Sequence, residues 1–153
     1  MDTLSPERRS ALMSRIRSKD TGIEVTVRKG LHRLGFRYRL GGGGLPGRPD
    51  IVLPKYGTVV FVHGCFWHGH DCPLYRLPTT RTAFWQAKIE ANRERDARKA
   101  AGLRAAAWNV ETVWECQVRG RSPEAIEALI ERLGRKILKH GHAAGFAAIR
   151  WRG

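Results

Sequence analysis

A cluster of cysteine and histidine residues restricts the fold of this chain more than any other feature. Cys65, His70 and Cys72 fall within the eight-residue stretch CFWHGHDC, whereas Cys116 lies far along the chain. Three thiolates and one imidazole are a common donor set for a closed tetrahedral zinc site, and both ligand types suit the borderline softness of zinc. If all four residues bind one ion, the segment that ends at Cys116 must pack beside the loop that contains Cys65.

The spacing leaves alternatives to this zinc site open. The cysteines could be unrelated buried residues, although an odd number of thiols in a reducing compartment favours metal binding or burial over disulfides. His63 and His68 flank the cluster, and either could replace His70 as the fourth ligand. Histidines that do not bind zinc are candidates for proton transfer, because imidazole titrates near neutral pH. We expect the other three histidines to lie at the surface: His32, His140 and His142.

The charge balance indicates a polyanionic partner. Lysine and arginine number 28 against 14 acidic residues, which gives a net charge of +14 and a sequence pI of about 10.8. A domain with a pI above ~9 is typical of nucleic-acid binding, and charge alone favours this over an acidic membrane only modestly. No apolar run approaches the ~20 residues of a membrane span, and residues 1–17 have no signal-peptide core. We expect a cytoplasmic protein.

The predicted elements indicate one α/β domain over residues 1–153, with a small mixed sheet flanked by helices. A length of 153 residues is usual for one domain. Helices are predicted at 5–17, 22–34, 82–106 and from 122 onward, and strands at 36–40, 50–53, 58–63 and 109–114. The second helix is expected to end at Gly35 and to carry one apolar face, formed by Ile23, Val27, Leu31 and Leu34. The last helix is expected to begin at Ser122-Pro123-Glu124. Residues 1–20 are strongly basic, and residues 140–153 are expected to form a loosely ordered tail. A four-residue turn joins the second and third strands, which suggests a hairpin.

Acidic residues near the second strand form a candidate magnesium site. Asp50 stands at the head of this strand, and magnesium binds only one or two carboxylates when phosphate supplies other ligands. On local sequence alone, a turn residue after proline is the better-supported role for Asp50. Glu24 could be a partner of this site or the acid of a helix capping box that begins at Thr21.

Aromatic residues accompany the histidines and arginines. Phe66 and Trp67 lie inside the cysteine-containing loop, and Trp85 stands at the start of the long helix. Such residues are often core plugs, but near a basic site they can stack on bases or wedge between base steps. We expect three further aromatic residues to lie in the core: Phe84, Trp108 and Trp114.

Four motifs together identify a family. GRPDIV, FVHGCFWHGHDC, TRTAFWQAKIEANRERD and VWECQVRGR closely resemble the very-short-patch repair (Vsr) DNA mismatch endonucleases, and the resemblance runs from about Ser10 through Leu133. It implies a restriction-endonuclease-like fold of the PD-(D/E)xK class. It also implies a monomer that acts on a T/G mismatch in double-stranded DNA, with a magnesium-dependent nick 5′ to the mispaired thymine. The nick would begin the repair of deaminated 5-methylcytosine, and mismatch-repair proteins are possible partners.

The resemblance implies roles residue by residue. Asp50 matches the magnesium-binding aspartate, His68 the general base, His63 a second catalytic histidine that positions or neutralises charge at the phosphate, and Glu24 an acid that contacts metal-bound water. The second magnesium ligand is a main-chain carbonyl at the position of Val62, where the family commonly has threonine. The zinc ligands match Cys65, His70, Cys72 and Cys116. The DNA-intercalating aromatics match Phe66, Trp67 and Trp85, and the basic N-terminal helix resembles the family's DNA-clasping arm.

Two other functions compete with mismatch nicking. One is a restriction-like nuclease of the same fold that cuts matched DNA. The other is a zinc-stabilised DNA-binding module without activity, which the presence of Asp50, His63 and His68 argues against. The sequence does not indicate the bases preferred around the mismatch.

Overall fold

The computed structural model describes residues 22–42 and 44–144 of the chain. The predicted basic helix within residues 1–20, the side chain of His142 and the tail beyond residue 144 lie outside the described residues. The described part contains three α-helices and four strands, in the chain order α1 (Gly22–Arg33), β1 (Arg39–Leu40), β2 (Ile51–Leu53), β3 (Thr58–His63), α2 (Thr82–Ala105), β4 (Asn109–Trp114) and α3 (Pro123–Ala144).

The strands form one mixed sheet in the order β1-β2-β3-β4. β1 and β2 are antiparallel, as are β2 and β3, whereas β3 and β4 are parallel. A short 3₁₀ turn (Pro54–Tyr56) and Gly57, at a φ of 57°, close the predicted hairpin. The parallel pair requires a long crossover, which α2 supplies. The predicted strand at 36–40 is shortened to β1 because Phe36 still belongs to the turn that ends α1.

Each face of the sheet carries its own helices. Successive side chains of β3 point to opposite faces, so Val60 packs with α1 and α3 whereas Val59 and Phe61 pack with α2. The face of α1 and α3 holds the larger core, and Trp108 is buried on the α2 face as predicted. Within the described residues, no helix is both long and apolar enough to cross a membrane.

α1 ends in a glycine-dependent turn, as predicted. Gly35 has a φ of 99°, its N–H donates to the His32 carbonyl at 3.0 Å, and the Phe36 N–H donates to the Leu31 carbonyl at 3.0 Å. These two bonds form a Schellman motif, which buries the residue after the glycine. The prediction that Leu34 continues the apolar face of α1 was wrong: Leu34 lies in the terminating turn and is 47% exposed.

α3 is longer and better anchored than the sequence predicted. The Ser122 hydroxyl accepts a hydrogen bond from the Ala125 N–H at 3.1 Å and caps the helix start. The helix runs to Ala144, so residues 140–144 are helical rather than loosely ordered. His140 is not an ordinary surface residue, because its Nε2 lies 2.8 Å from Glu111 Oε1 on β4. This contact joins the end of α3 to the sheet.

Gly30 sets the distance between α1 and α3. A Cβ atom on Gly30 would lie 2.8 Å from Cγ1 of Ile130. Gly30→Ala should therefore lower the free energy of unfolding by about 1–3 kcal/mol through overpacking, although alanine favours helix by ~1 kcal/mol over glycine. Urea unfolding measures the difference.

Gly102→Ala is the matched control. Gly102 lies within α2, and a Cβ atom there would meet Pro46 at 3.9 Å, an ordinary contact. We expect this variant to gain up to ~1 kcal/mol from helix propensity. The same change in the free energy of unfolding for both variants would contradict the close packing at Gly30.

Candidate active site and metal centre

An open cleft with a volume of about 1090 Å³ lies beside the end of β3, between α1 and α2. It collects every acid and histidine that the sequence predicted to be catalytic, together with a further acid from α2. These lining residues are Glu24, Asp50, His63, His68 and Asp96. The strand end supplies His63, the preceding hairpin supplies Asp50, and the two helices supply the other acids.

Asp50 contacts a distant strand rather than its own turn. Its Oδ2 accepts a hydrogen bond from the Val62 N–H at 2.7 Å. Val60 pairs with Ile51, the first residue of β2. Val62 therefore lies just beyond the end of β2, and its peptide groups face the side of β3 on which Asp50 lies. Burial raises the pKa of Asp50 to about 6, the hydrogen bond from Val62 opposes this, and the charge of Glu24 adds to it.

Glu24 is a buried acid on the wall of the cleft. It lies in the first turn of α1, is only 9% exposed, and is close enough to Asp50 for its charge to affect that carboxyl. Thr21, the other half of the predicted capping box, lies outside the described residues. Two neighbouring carboxylates in a partly buried cleft favour a cation between them.

His68 is held by an acid that the sequence analysis missed. Nδ1 of His68 lies 2.5 Å from Asp96 Oδ2, and the His68 ring stacks on His63 with centroids 3.7 Å apart. Asp96 is one of many charges on α2, so only the packing of α2 against this loop distinguishes it. When Nδ1 donates to Asp96, Nε2 is the nitrogen left to accept a proton.

The electrostatics of the histidine pair are asymmetric. Burial and, to a smaller extent, the charge of the neighbouring His68 lower the pKa of His63 to about 3, so His63 is neutral at neutral pH in the protein without DNA. Burial alone would raise the pKa of Asp96, but the hydrogen bond and charge of His68 outweigh it and hold the pKa below its usual value. Asp96 therefore stays ionised and can stabilise a protonated His68.

The predicted zinc ligands converge on one point. The ligand atoms of Cys65, His70, Cys72 and Cys116 all lie within 4.8 Å of one another. Nδ1 of His70 is 3.6 Å from Cys65 Sγ and 3.5 Å from Cys116 Sγ. Zinc bonds of roughly 2.3 Å to sulfur and 2.0–2.1 Å to nitrogen place tetrahedral ligands about 3.6 Å apart. Burial raises the pKa of the Cys65 thiol to about 12, so a thiolate there needs a cation beside it.

The end of β4 supports this centre. The Trp114 ring stacks on the His70 ring at 4.1 Å, so Trp114, predicted to lie in the core, is instead half-buried beside the predicted metal ligands. Glu115 Oε1 accepts a hydrogen bond from the Cys65 N–H at 3.2 Å, and its other oxygen accepts from Arg119 at 3.0 Å. His63 and His68 belong to the separate cluster with Asp96.

The predicted DNA-contacting aromatics form one cluster that reaches the cleft through Trp67. Phe66 lies 5.2 Å from Trp67 and 5.7 Å from Trp85, measured between ring centroids. Trp67 is 9% exposed, whereas Phe66 and Trp85 are half-buried. The prediction of Phe84 as a core residue was wrong, since it is 45% exposed. Trp85, not Phe84, shares a helix face with the buried Ile89 four residues later.

Cations complete the wall of the cleft. Arg48 comes from the hairpin, Arg119 follows β4, and α2 contributes three more: Lys88, Arg95 and Lys99. Lys88 Nζ also lies 5.7 Å from the ring centroids of Trp67 and Trp85. Such a cleft suits a phosphate backbone that carries stacked bases.

Comparison with known proteins identifies relatives that are named as DNA mismatch endonucleases or nicking enzymes. The family model described as DNA mismatch endonuclease Vsr matches residues 1–74. The type II nicking enzyme V.XorIIP of Xanthomonas oryzae pv. oryzae is 55% identical over 117 residues, which cover 76% of this chain and 86% of that protein. The DNA mismatch endonuclease Vsr of Escherichia coli is 46% identical over 136 residues, which cover 89% of this chain and 87% of that protein.

A third relative extends the same pattern. The type II nicking enzyme V.NmeAIP of Neisseria meningitidis is 46% identical over 121 residues, which cover 79% of this chain and 86% of that protein. The similarity spans most of both chains in each case. The chain therefore belongs to the Vsr family of DNA mismatch endonucleases.

Proposed function

We propose that this protein nicks duplex DNA 5′ to the thymine of a T/G mispair and so initiates very-short-patch repair of deaminated 5-methylcytosine. The observation that carries the proposal is the meeting, in one basic cleft, of the Asp50–Val62 edge with the His68–Asp96 pair. A site for a cation and a site for a proton acceptor then lie in the same basic cleft. We expect the protein to act as a monomer, and contacts with mismatch-repair proteins stay a prediction.

Asp50 and the main-chain carbonyl of Val62 would hold magnesium. The donor set fits, because both groups offer oxygen, the ligand type that this ion prefers, and both face the edge beyond β2. When bound, magnesium polarises the phosphate and stabilises the charge that develops on it. Glu24, buried beside Asp50, accepts hydrogen bonds from water in the site.

His68 is the proposed general base. Asp96 holds its Nδ1, so Nε2 can take a proton from the attacking water while the carboxylate stabilises the imidazolium. His63, stacked on this ring, restricts how it can turn. A role for His63 in neutralising phosphate charge depends on DNA raising its pKa from the low value of the free protein.

The aromatic cluster is the proposed source of mismatch selectivity. Phe66, Trp67 and Trp85 would wedge between bases next to the mispair. Unstacking costs a few kcal/mol per step and is least costly where pairing is already weak. The greater exposure of Phe66 and Trp85 makes them the leading edge of the wedge, with Trp67 as its support.

Zinc is the proposed ion of the cysteine centre. Its preference for thiolate and imidazole in tetrahedral geometry fits Cys65, His70, Cys72 and Cys116. With all four positions filled by protein ligands, the role would be structural: the ion joins the end of β4 to the loop that presents His68.

The decisive test of function is strand-resolved nicking of a labelled duplex with one T/G mispair in a CTAGG-type context, with the matched duplex as control and magnesium present. We expect a nick confined to the thymine strand of the mispaired duplex. Equal cutting of both duplexes would favour the restriction-like nuclease that cuts matched DNA. Tight binding without cutting would favour an inactive DNA-binding module.

Asp50→Asn should separate activity from stability. Burial raises the folded-state pKa of Asp50 from 3.8 to about 6. Proton binding therefore favours the folded state in that interval, and above about pH 6 the buried carboxylate lowers stability. At pH 8 without magnesium, the variant should be more stable than the wild type by ~1–3 kcal/mol. In an assay that contains magnesium, it should still bind DNA but fail to nick it.

The pH dependence of this difference is the internal control. Well below the ordinary pKa of 3.8, the carboxyl is protonated in both folded and unfolded states, so the stability gain should vanish on acidification. Magnesium should stabilise the wild type but not Asp50→Asn. Nicking by Asp50→Asn at the wild-type rate would contradict the proposed active site.

Removal of the zinc should unfold part of the domain. A chelator, or the substitution Cys72→Ser, should lower the melting temperature by several degrees, because binding energy at such a site is folding energy. Nicking should stay abolished when the chelator is removed and magnesium is restored without zinc. Native mass spectrometry counts the bound ion, and re-added zinc should restore the chelated wild type. A metal-free protein with unchanged melting temperature would rule out this structural role.

A further inference from the structure

Helix α2 holds three consecutive residues of the loop that contains the catalytic and metal-binding histidines. Asn92 Nδ2 donates to the Trp67 carbonyl at 2.9 Å, and Asp96 Oδ2 lies 2.5 Å from His68 Nδ1. Arg93 Nε donates to the Gly69 carbonyl at 3.0 Å, and Arg93 Nη2 donates to the same oxygen. Each loop residue from 67 to 69 thus has its own polar partner on α2.

The contact of Arg93 depends on the residue opposite it being glycine. Gly69 has a φ of 59°, a conformation that side chains disfavour. A Cβ atom on Gly69 would lie 2.3 Å from Arg93 Nε and 2.6 Å from Ile89 Cγ2. The guanidinium therefore occupies the space that any side chain at position 69 would need.

The peptide that Arg93 holds lies between two functional residues. His68 is the proposed base on one side, and His70 is the proposed zinc ligand on the other. The buried Gly69 carbonyl needs a hydrogen-bond donor, and a charged donor that gives two N–H groups to one oxygen is stronger and better oriented than a neutral one. Arg93 also lies 5.6 Å above the Tyr75 ring centroid, which limits its own freedom.

We propose that Arg93 is a positioning residue for His68. By fixing the peptide between His68 and His70, it links the metal centre to the imidazole that takes the proton, and it keeps the His68–Asp96 hydrogen bond aligned. The assignment of a rate effect rests on the proposed function, whereas the effect on the His68–Asp96 bond does not.

Arg93→Met is the informative variant, because methionine retains an unbranched apolar stem and removes the N–H donors. Arg93→Lys returns a positive charge and one donor group. Arg98→Met, at an exposed position of the same helix, is the matched control. The readouts are the single-turnover nicking rate at saturating DNA, the Kd for the same duplex, and the downfield proton resonance of the His68 Nδ1–H that faces Asp96.

We expect Arg93→Met to nick ~10- to 100-fold more slowly, since a small misplacement of a reacting group has effects of this size. Its Kd should change less than about 3-fold, well below the tenfold that 1.4 kcal/mol represents. The downfield resonance should broaden or disappear, Arg93→Lys should recover part of both signals, and Arg98→Met should match the wild type.

Two results would overturn the role of Arg93. One is an Arg93→Met variant with wild-type rate and resonance. The other is a rate loss that follows weakened binding while the resonance is unchanged, because that pattern belongs to a phosphate contact. If the wild type itself fails to nick the mispaired duplex, the proposed function fails, and the resonance alone still decides whether Arg93 positions His68.

Discussion

The parallel pairing of β3 with β4 is the interaction on which both candidate sites depend. In this register His63 lies opposite Trp114, so the chain leaves the two strands at the same level of the sheet. Cys65 and Cys116 each follow by two residues, and their sulfur atoms therefore meet. The same strand ends place His63 at the mouth of the cleft and Trp114 against His70. A shift of one residue would reverse the faces of these side chains and separate the ligands.

Two groups in the cleft, Asp50 and His63, oppose folding by their burial and are also groups that the proposed chemistry uses. Burial and Glu24 raise the pKa of Asp50 to about 6, so its ionised form at neutral pH is costly until a cation arrives. Burial likewise keeps His63 uncharged. The two-sided apolar core offsets these costs. Such a trade between stability and activity is common where an active site is desolvated.

Helix α2 joins the two sites through polar contacts. Only Ile89 and Leu103 are buried along its length in the described structure, so this helix packs lightly against the sheet by apolar contact. Asn92, Arg93 and Asp96 compensate by binding successive residues of the histidine loop. A loop without regular secondary structure is thereby tied to a helix, which would orient the proposed general base.

The sequence by itself determined the local elements and the chemical inventory. The β-branched run of β3, the hairpin before it, the glycine stop of α1 and the serine cap of α3 follow from short-range rules, and the structure has all of them. The donor types at Cys65, His70, Cys72 and Cys116 indicated a metal centre without any coordinates. The motifs GRPDIV and FVHGCFWHGHDC indicated the family.

Only the tertiary structure decided which residues meet. Asp96 and Arg93 carry no local signal, because charged side chains cover most of α2 and their importance arises from the loop that packs against them. Trp114 and Phe84 were misplaced for the same reason: their exposure depends on which helix face and strand end the rest of the chain covers. The raised pKa of Asp50 arises from burial and from Glu24, which lies 26 residues away in the chain. Long-range packing creates such environments, and short-range sequence patterns do not encode them.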